Sequence, residues 1–158
     1  MLLPLFERLE ASAIGEAIRG SLWLFPVIEA FHLVGLAVIG GAILVVDFRL
    51  LGLGLRSHPV ARLAGDMQPW VVGSLIVMVL SGVPLFLSEA IKCYYSFAFW
   101  TKMTALLGAV IFTFTFRRAV AGAPDGRFSP VWNRAVGFTS IALWSTVGWG
   151  GRWIGFSG

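Results

Sequence analysis

From Trp70 to Leu87 the chain runs for eighteen residues without one Asp, Glu, Lys or Arg. A stretch of that length and character is the signature of a helix crossing hydrocarbon, where no water is present to satisfy a charge or a free backbone group. Three more runs share it. Leu22 to Val46 holds only Glu29 and His32 as ionisable groups, Phe97 to Phe116 only Lys102, and Ala135 to Gly151 none. The sequence therefore predicts an all-α, four-helix transmembrane bundle in one membrane domain over residues 1–158. The spans are expected at about 22–46, 70–90, 97–117 and 133–154. Composition agrees, since 58% hydrophobic and 13% charged residues cannot coat a soluble domain of this size.

Ahead of the first span, Leu2, Leu5, Phe6, Leu9, Ala13 and Ala17 share one helical face, with Glu7, Arg8, Glu10 and Arg19 largely elsewhere. This reads as an amphipathic helix over about residues 4–19 lying in the membrane interface. The charges within Met1–Glu10 do not suit a removable signal peptide. Ser21 is placed to cap the first span, and Pro84 to kink the far end of the second. Trp23, Trp70, Trp100, Trp132 and Trp153 fall at span ends, as interface belts do. Small residues such as Ala37 and Gly41 suit close helix approach.

Of the twelve Lys and Arg residues, seven share one side: Arg49, Arg56, Arg62, Arg117, Arg118, Arg127 and Arg134. Arg8, Arg19, Lys92, Lys102 and Arg152 share the other. The positive-inside bias puts the Arg-rich loops in the cytoplasm and both termini in the periplasm of a bacterial inner membrane. The net charge of +4 points to anionic lipid headgroups and not to nucleic acid, because no separate basic domain exists. Cys93 stands alone, so neither an intramolecular disulfide nor a cysteine cage can form, and it is read as an apolar residue.

With alternate spans antiparallel, Glu29, His32, Glu89, Lys102 and Arg152 lie toward one leaflet, and Glu29 and His32, three apart, are expected to project from the same helical face. Ionisable groups at that depth face a bundle interior or polar cavity, which makes this layer the candidate site. Three readings are open. In the first, the charges pair and lock the helices together. In the second, His32 is an axial metal ligand to a b-type haem, Lys102 and Arg152 hold the propionates, Glu29 tunes the imidazole, and Met103 or Met78 supplies the other axial group. A homodimer could instead bring two His32 side chains to one haem. In the third, the layer faces a quinone or carries protons, with His32 exchanging a proton and Glu29 setting its tautomer and basicity. One E-x-x-H fragment is half of a di-metal carboxylate site and does not make one. On the opposite side Asp47 is expected to pair with Arg117 or Arg118, as structure and not catalysis. No phosphate loop, nucleophile elbow or zinc spacing is present, so the chain is expected to lack catalytic activity of its own. Nor does it show the internal repeat or polar stripe of a transporter. A membrane subunit or anchor of a larger complex, or a homo-oligomer, is the implied role.

The string FHLVGLAVIGGAILVVDFRLLGL, Phe31 to Leu53, resembles an uncharacterised family of small bacterial four-helix integral membrane proteins. These carry a helix-one histidine and an Asp-x-Arg-Leu-Leu-Gly exit. PWVVGSLIVMVLSGVPLFLSEA, FWTKM and the closing GRWIGF look like further segments of that family, so the resemblance covers nearly the whole chain. It implies fold and membrane location but no reaction. Many relatives have a histidine near the end of helix three, where this chain has Phe116 before Arg117; the departure weakens a two-histidine haem within one chain. The architecture is also similar, more distantly, to copper-resistance membrane proteins and transmembrane b-type cytochromes.

Overall fold

The computed structural model describes residues 2–55 and 57–155. Arg56 of the Arg-rich loop and Phe156 of the GRWIGF segment lie outside the described residues. The described chain is all helical: α1 (Leu3–Glu10), α2 (Ala13–Arg19), α3 (Leu24–Leu51), α4 (Val60–Ser88), α5 (Ala90–Tyr95), α6 (Phe97–Ala121) and α7 (Pro130–Ile154). Serines set most of the starts. Ser12, Ser96 and Ser129 accept the backbone N–H three residues on, opening α2, α6 and α7, and Ser21 accepts that of Leu24. α3 stops at Gly52, whose φ of 77° only glycine adopts without cost, and the Leu53 N–H closes back on Phe48 O.

The expected interfacial helix is two helices, broken at Ala11–Ser12 because Ser12 turns extended to cap α2. α4 begins ten residues ahead of the expected 70 and runs through Pro69 and Pro84; the break comes instead at Glu89, before the unexpected α5. α3 runs five residues past Val46, because Asp47 has a partner inside the fold and need not end the helix.

α3 packs against α4 on one side and α7 on the other, and α6 packs on α7. Ile39, Ile43, Val71, Met78, Ala109, Trp144 and Val147 form one core cluster from all four long helices. Val46, Leu50, Val60, Val120 and Val136 form a second at one end. The surface is apolar where a soluble protein's would be polar: Leu33, Val34, Ile76, Leu80, Leu107, Ile111 and Phe138 are exposed, while Asp47, Ser74, Ser81, Thr113, Arg117 and Ser140 are buried. That inversion is what lipid as solvent demands. All five tryptophans expected at span ends are exposed, and the buried one is Trp144. Three helices, α3, α4 and α6, are long and apolar enough to cross a membrane. α7, at 25 residues, is long enough but is diluted by Asn133, Arg134 and four hydroxyl residues.

Candidate functional site

His32 lies on the face of α3 that meets α4, half-buried, with its ring over Gly82; a Cβ there would stand 3.2 Å from Cε1, so only glycine admits the imidazole this close. Its Nδ1 is 2.9 Å from Ser81 Oγ. Ser81 donates its single hydroxyl proton to Val77 O at 2.7 Å, so toward His32 it can only accept. With the Ser81 hydroxyl proton on Val77 O, Nδ1 carries the ring proton and Nε2 the lone pair. Besides Ser81 Oγ and the Met78 backbone, the ring has no hydrogen-bond partner among the described residues.

Lys102, near the start of α6, reaches the same layer. Its stem lies along α7, where a Cβ on Gly150 would sit 3.0 Å from Lys102 Cβ and one on Gly151 3.5 Å from Nζ. The two glycines thus form the trough that admits a lysine between α6 and α7. Lys102 lies within electrostatic range of His32 and of the Cys93 thiol, and has no acidic partner among the described residues. The cation instead sits near the C-terminus of α7, whose dipole favours it. Burial pushes the Cys93 thiol up to about 11, so it is neutral at physiological pH.

The other residues expected here are not brought in. Glu29 is exposed and makes no ion pair among the described residues, because three residues turn a helix about 300° and the edge of the buried face falls between it and His32. Met103 is 41% exposed on the outer side of α6, one residue round from Lys102. Met78 is the exception: its side chain is buried against Gly35 between α3 and α4, and its backbone hydrogen-bonds the His32 ring. Arg152 is exposed in the last turn of α7, and Glu89 pairs with Lys92 at 3.7 Å on the surface. No group of three or more His, Cys, Asp or Glu residues among the described residues could hold a metal ion.

The N-terminal helices roof this end. Phe6 is buried among Phe86, Tyr94 and Trp100, and Phe86 stacks on Phe99 at 5.5 Å. Glu10 accepts the Ile91 N–H at 2.6 Å and Arg19 donates to Ser88 O at 3.1 Å. These backbone groups flank the α4–α5 break and have no helical partner of their own. The sequence gives no sign of this clamp beyond two opposite charges nine residues apart.

At the opposite end Arg117 Nε donates to Asp47 Oδ1 at 2.7 Å and Nη2 to Ile43 O at 3.1 Å. Of the two expected partners, Arg117 is the one chosen. Asp47 is fully buried, not at the rim, and Arg117 is 5% exposed. A π-turn over Thr113–Arg117 in α6 rotates the guanidinium inward, and Trp144 Nε1 donates to Thr113 Oγ1 at 3.0 Å to brace it. Ser140 Oγ faces the same carboxylate, though neither it nor Asp47 Oδ2 makes a full hydrogen bond.

Fold and site together define an all-helical protein, three of its helices long and apolar enough to cross a membrane, with a polar layer near one end and a buried ion pair near the other. The chain belongs to a family of unknown function, DUF6644, which it matches over residues 5–157. No curated protein and no solved structure matches it.

Proposed function

We propose that the chain is a small integral membrane subunit that crosses the bilayer four times, has no catalytic centre of its own, and holds a ligand in the His32–Lys102 layer as part of a larger assembly. The observation that carries the site is the imidazole: Ser81 sets its tautomer, and Nε2 is left as an acceptor within electrostatic range of Lys102, which has no acidic partner among the described residues. Buried polar groups are ordinarily paired within the chain, and a pair left open in both signs suits something that enters. Native mass spectrometry of the protein extracted in mild detergent tests this. A small molecule bound in near-stoichiometric amount, and lost in His32→Ala, supports it; no bound molecule from either protein refutes it.

The fourth crossing rests on α7, which at about 1.5 Å per residue is longer than the ~30 Å of hydrocarbon and lies along two helices that are themselves spans. The Arg-rich loops then face the cytoplasm of a bacterial inner membrane, lipid headgroups meet the exposed arginines, and both termini are periplasmic. Reporters at the two ends should label from the same side; labelling from opposite sides would leave three crossings.

A b-type haem is a second reading, favoured by the free Nε2 and by Lys102. Here His32 would hold the iron and Lys102 a propionate, and the group would supply one-electron transfer within the membrane. Met103 points away from His32, so the other axial position falls to a second chain, His32 of a second copy being the available donor. A reduced-minus-oxidised spectrum with sharp Soret and α bands, abolished in His32→Ala and kept in Met103→Leu, supports it. A featureless spectrum after expression with ample haem removes it.

A further inference from the structure

We infer that the ligand of the His32–Lys102 layer is a lipid-soluble hydroquinone, a statement that rests on the reading of that layer as a ligand site. The two groups specify their partner between them. With Nδ1–H given to Ser81, Nε2 can only accept, so the ligand must bring an O–H or N–H to it. Lys102 Nζ can only donate and has no carboxylate opposite it among the described residues, so the ligand must bring an oxygen acceptor as well.

The surroundings specify the rest. One turn beyond Gly82 on α4 and one turn before Lys102 on α6, Phe86 and Phe99 stack with their planes 12° apart, a flat aromatic wall at the edge of the layer. The outer faces of α3 and α4 beside His32, at Phe31, Leu33, Leu80 and Val83, are exposed and apolar, so the approach is from lipid and not from water. A flat ring with a hydroxyl at one end, an oxygen at the other and an apolar tail meets all of these conditions. The haem reading needs a second chain to complete its ligand set, whereas this ligand is satisfied by residues of one chain. The inference concerns binding; no electron or proton leaves the ligand in it.

The test uses the whole wild-type protein in mild detergent with two probes, a decyl-substituted 1,4-benzohydroquinone and its dimethyl ether. The ether keeps the ring, tail and acceptor oxygens and carries a methyl group in place of each hydroxyl hydrogen. The expected result is saturable thermal stabilisation by the hydroquinone and at least tenfold weaker binding of the ether, with the preference abolished in His32→Asn and the binding of both probes weakened in Lys102→Gln. Equal stabilisation by both probes would mean partition into apolar surface and would overturn the inference. No stabilisation by either, with a different molecule still found bound to the wild type and not to His32→Ala, would overturn the hydroquinone and keep the ligand site. No bound molecule of any kind would remove both. Haem bands that depend on His32 would assign the layer to haem and overturn the inference likewise.

Discussion

Asp47 and Arg117 show how much a single buried pair is made to hold. Each is almost wholly buried, and removing one partner leaves the other charged and unpaired in a dry interior. Asp47→Ala is expected to cost about 3–5 kcal/mol of stability in detergent, and an Asp47→Leu/Arg117→Met double variant to recover much of it; chemical denaturation of the three proteins checks both. Ser140→Ala should change stability little, because its hydroxyl completes no full bond. At the other end Cys93 has its folded pKa raised from 9.0 to about 11. The unfolded chain releases this proton first, so folding stability from this group is full below about 9 and falls as pH rises toward 11. Thiol alkylation of the folded protein should keep accelerating through that window, and a plateau near pH 9 would contradict the buried position.

At the scale of the element, what sequence could reveal followed from length and hydrophobicity. The apolar runs located α3, α4 and α6, and the antiparallel order correctly put His32 and Lys102 near one end, because both facts depend only on counting residues along helices. What stayed hidden depended on contacts. The start of α4 at Val60 was not legible because its first ten residues are polar enough to pass for loop, and they become helical by packing Val60 against Leu50 and Val120. Ser74, Ser81 and Ser88 recur every seven residues along α4, a signal that would have marked its buried face and the partner of His32. Glu29 and Met103 were placed at the site by depth alone, and rotation about the helix axis took them out of it. The π-turn, which aims Arg117 inward, has no sequence signature here. The clamp of α1 and α2 on the α4–α5 corner also came only from geometry. Removing it with Glu10→Ala and Arg19→Ala together should expose the Ile91 N–H and Ser88 O and cost about 1–3 kcal/mol. Protease susceptibility near residues 11–20 should rise with it.

For the molecule as a whole, the interior carries the polar chemistry and the exterior the apolar surface, in two zones. One is an ion pair internal to the fold: Arg117 holds Asp47 Oδ1 and Trp144 holds Thr113, tying α3 to α6 and α6 to α7, with Asp47 Oδ2 facing only Ser140. The other is open, with an imidazole nitrogen on α3 turned from its Ser81 partner and a lysine on α6 that has no acidic partner among the described residues. That contrast is the basis for reading the first zone as architecture and the second as the place where a ligand enters. The claim hangs on the protonation of one ring, and the chain has only two histidines, His32 and His58. The most direct measurement is nitrogen-15 NMR of histidine-labelled protein in detergent at neutral pH, assigned by comparison with His58→Gln. The account predicts that His32 is neutral, with the proton on Nδ1 and an unprotonated Nε2 that shifts when ligand binds. A proton on Nε2, or an imidazolium, would mean that Ser81 does not set the tautomer and that His32 offers no free acceptor.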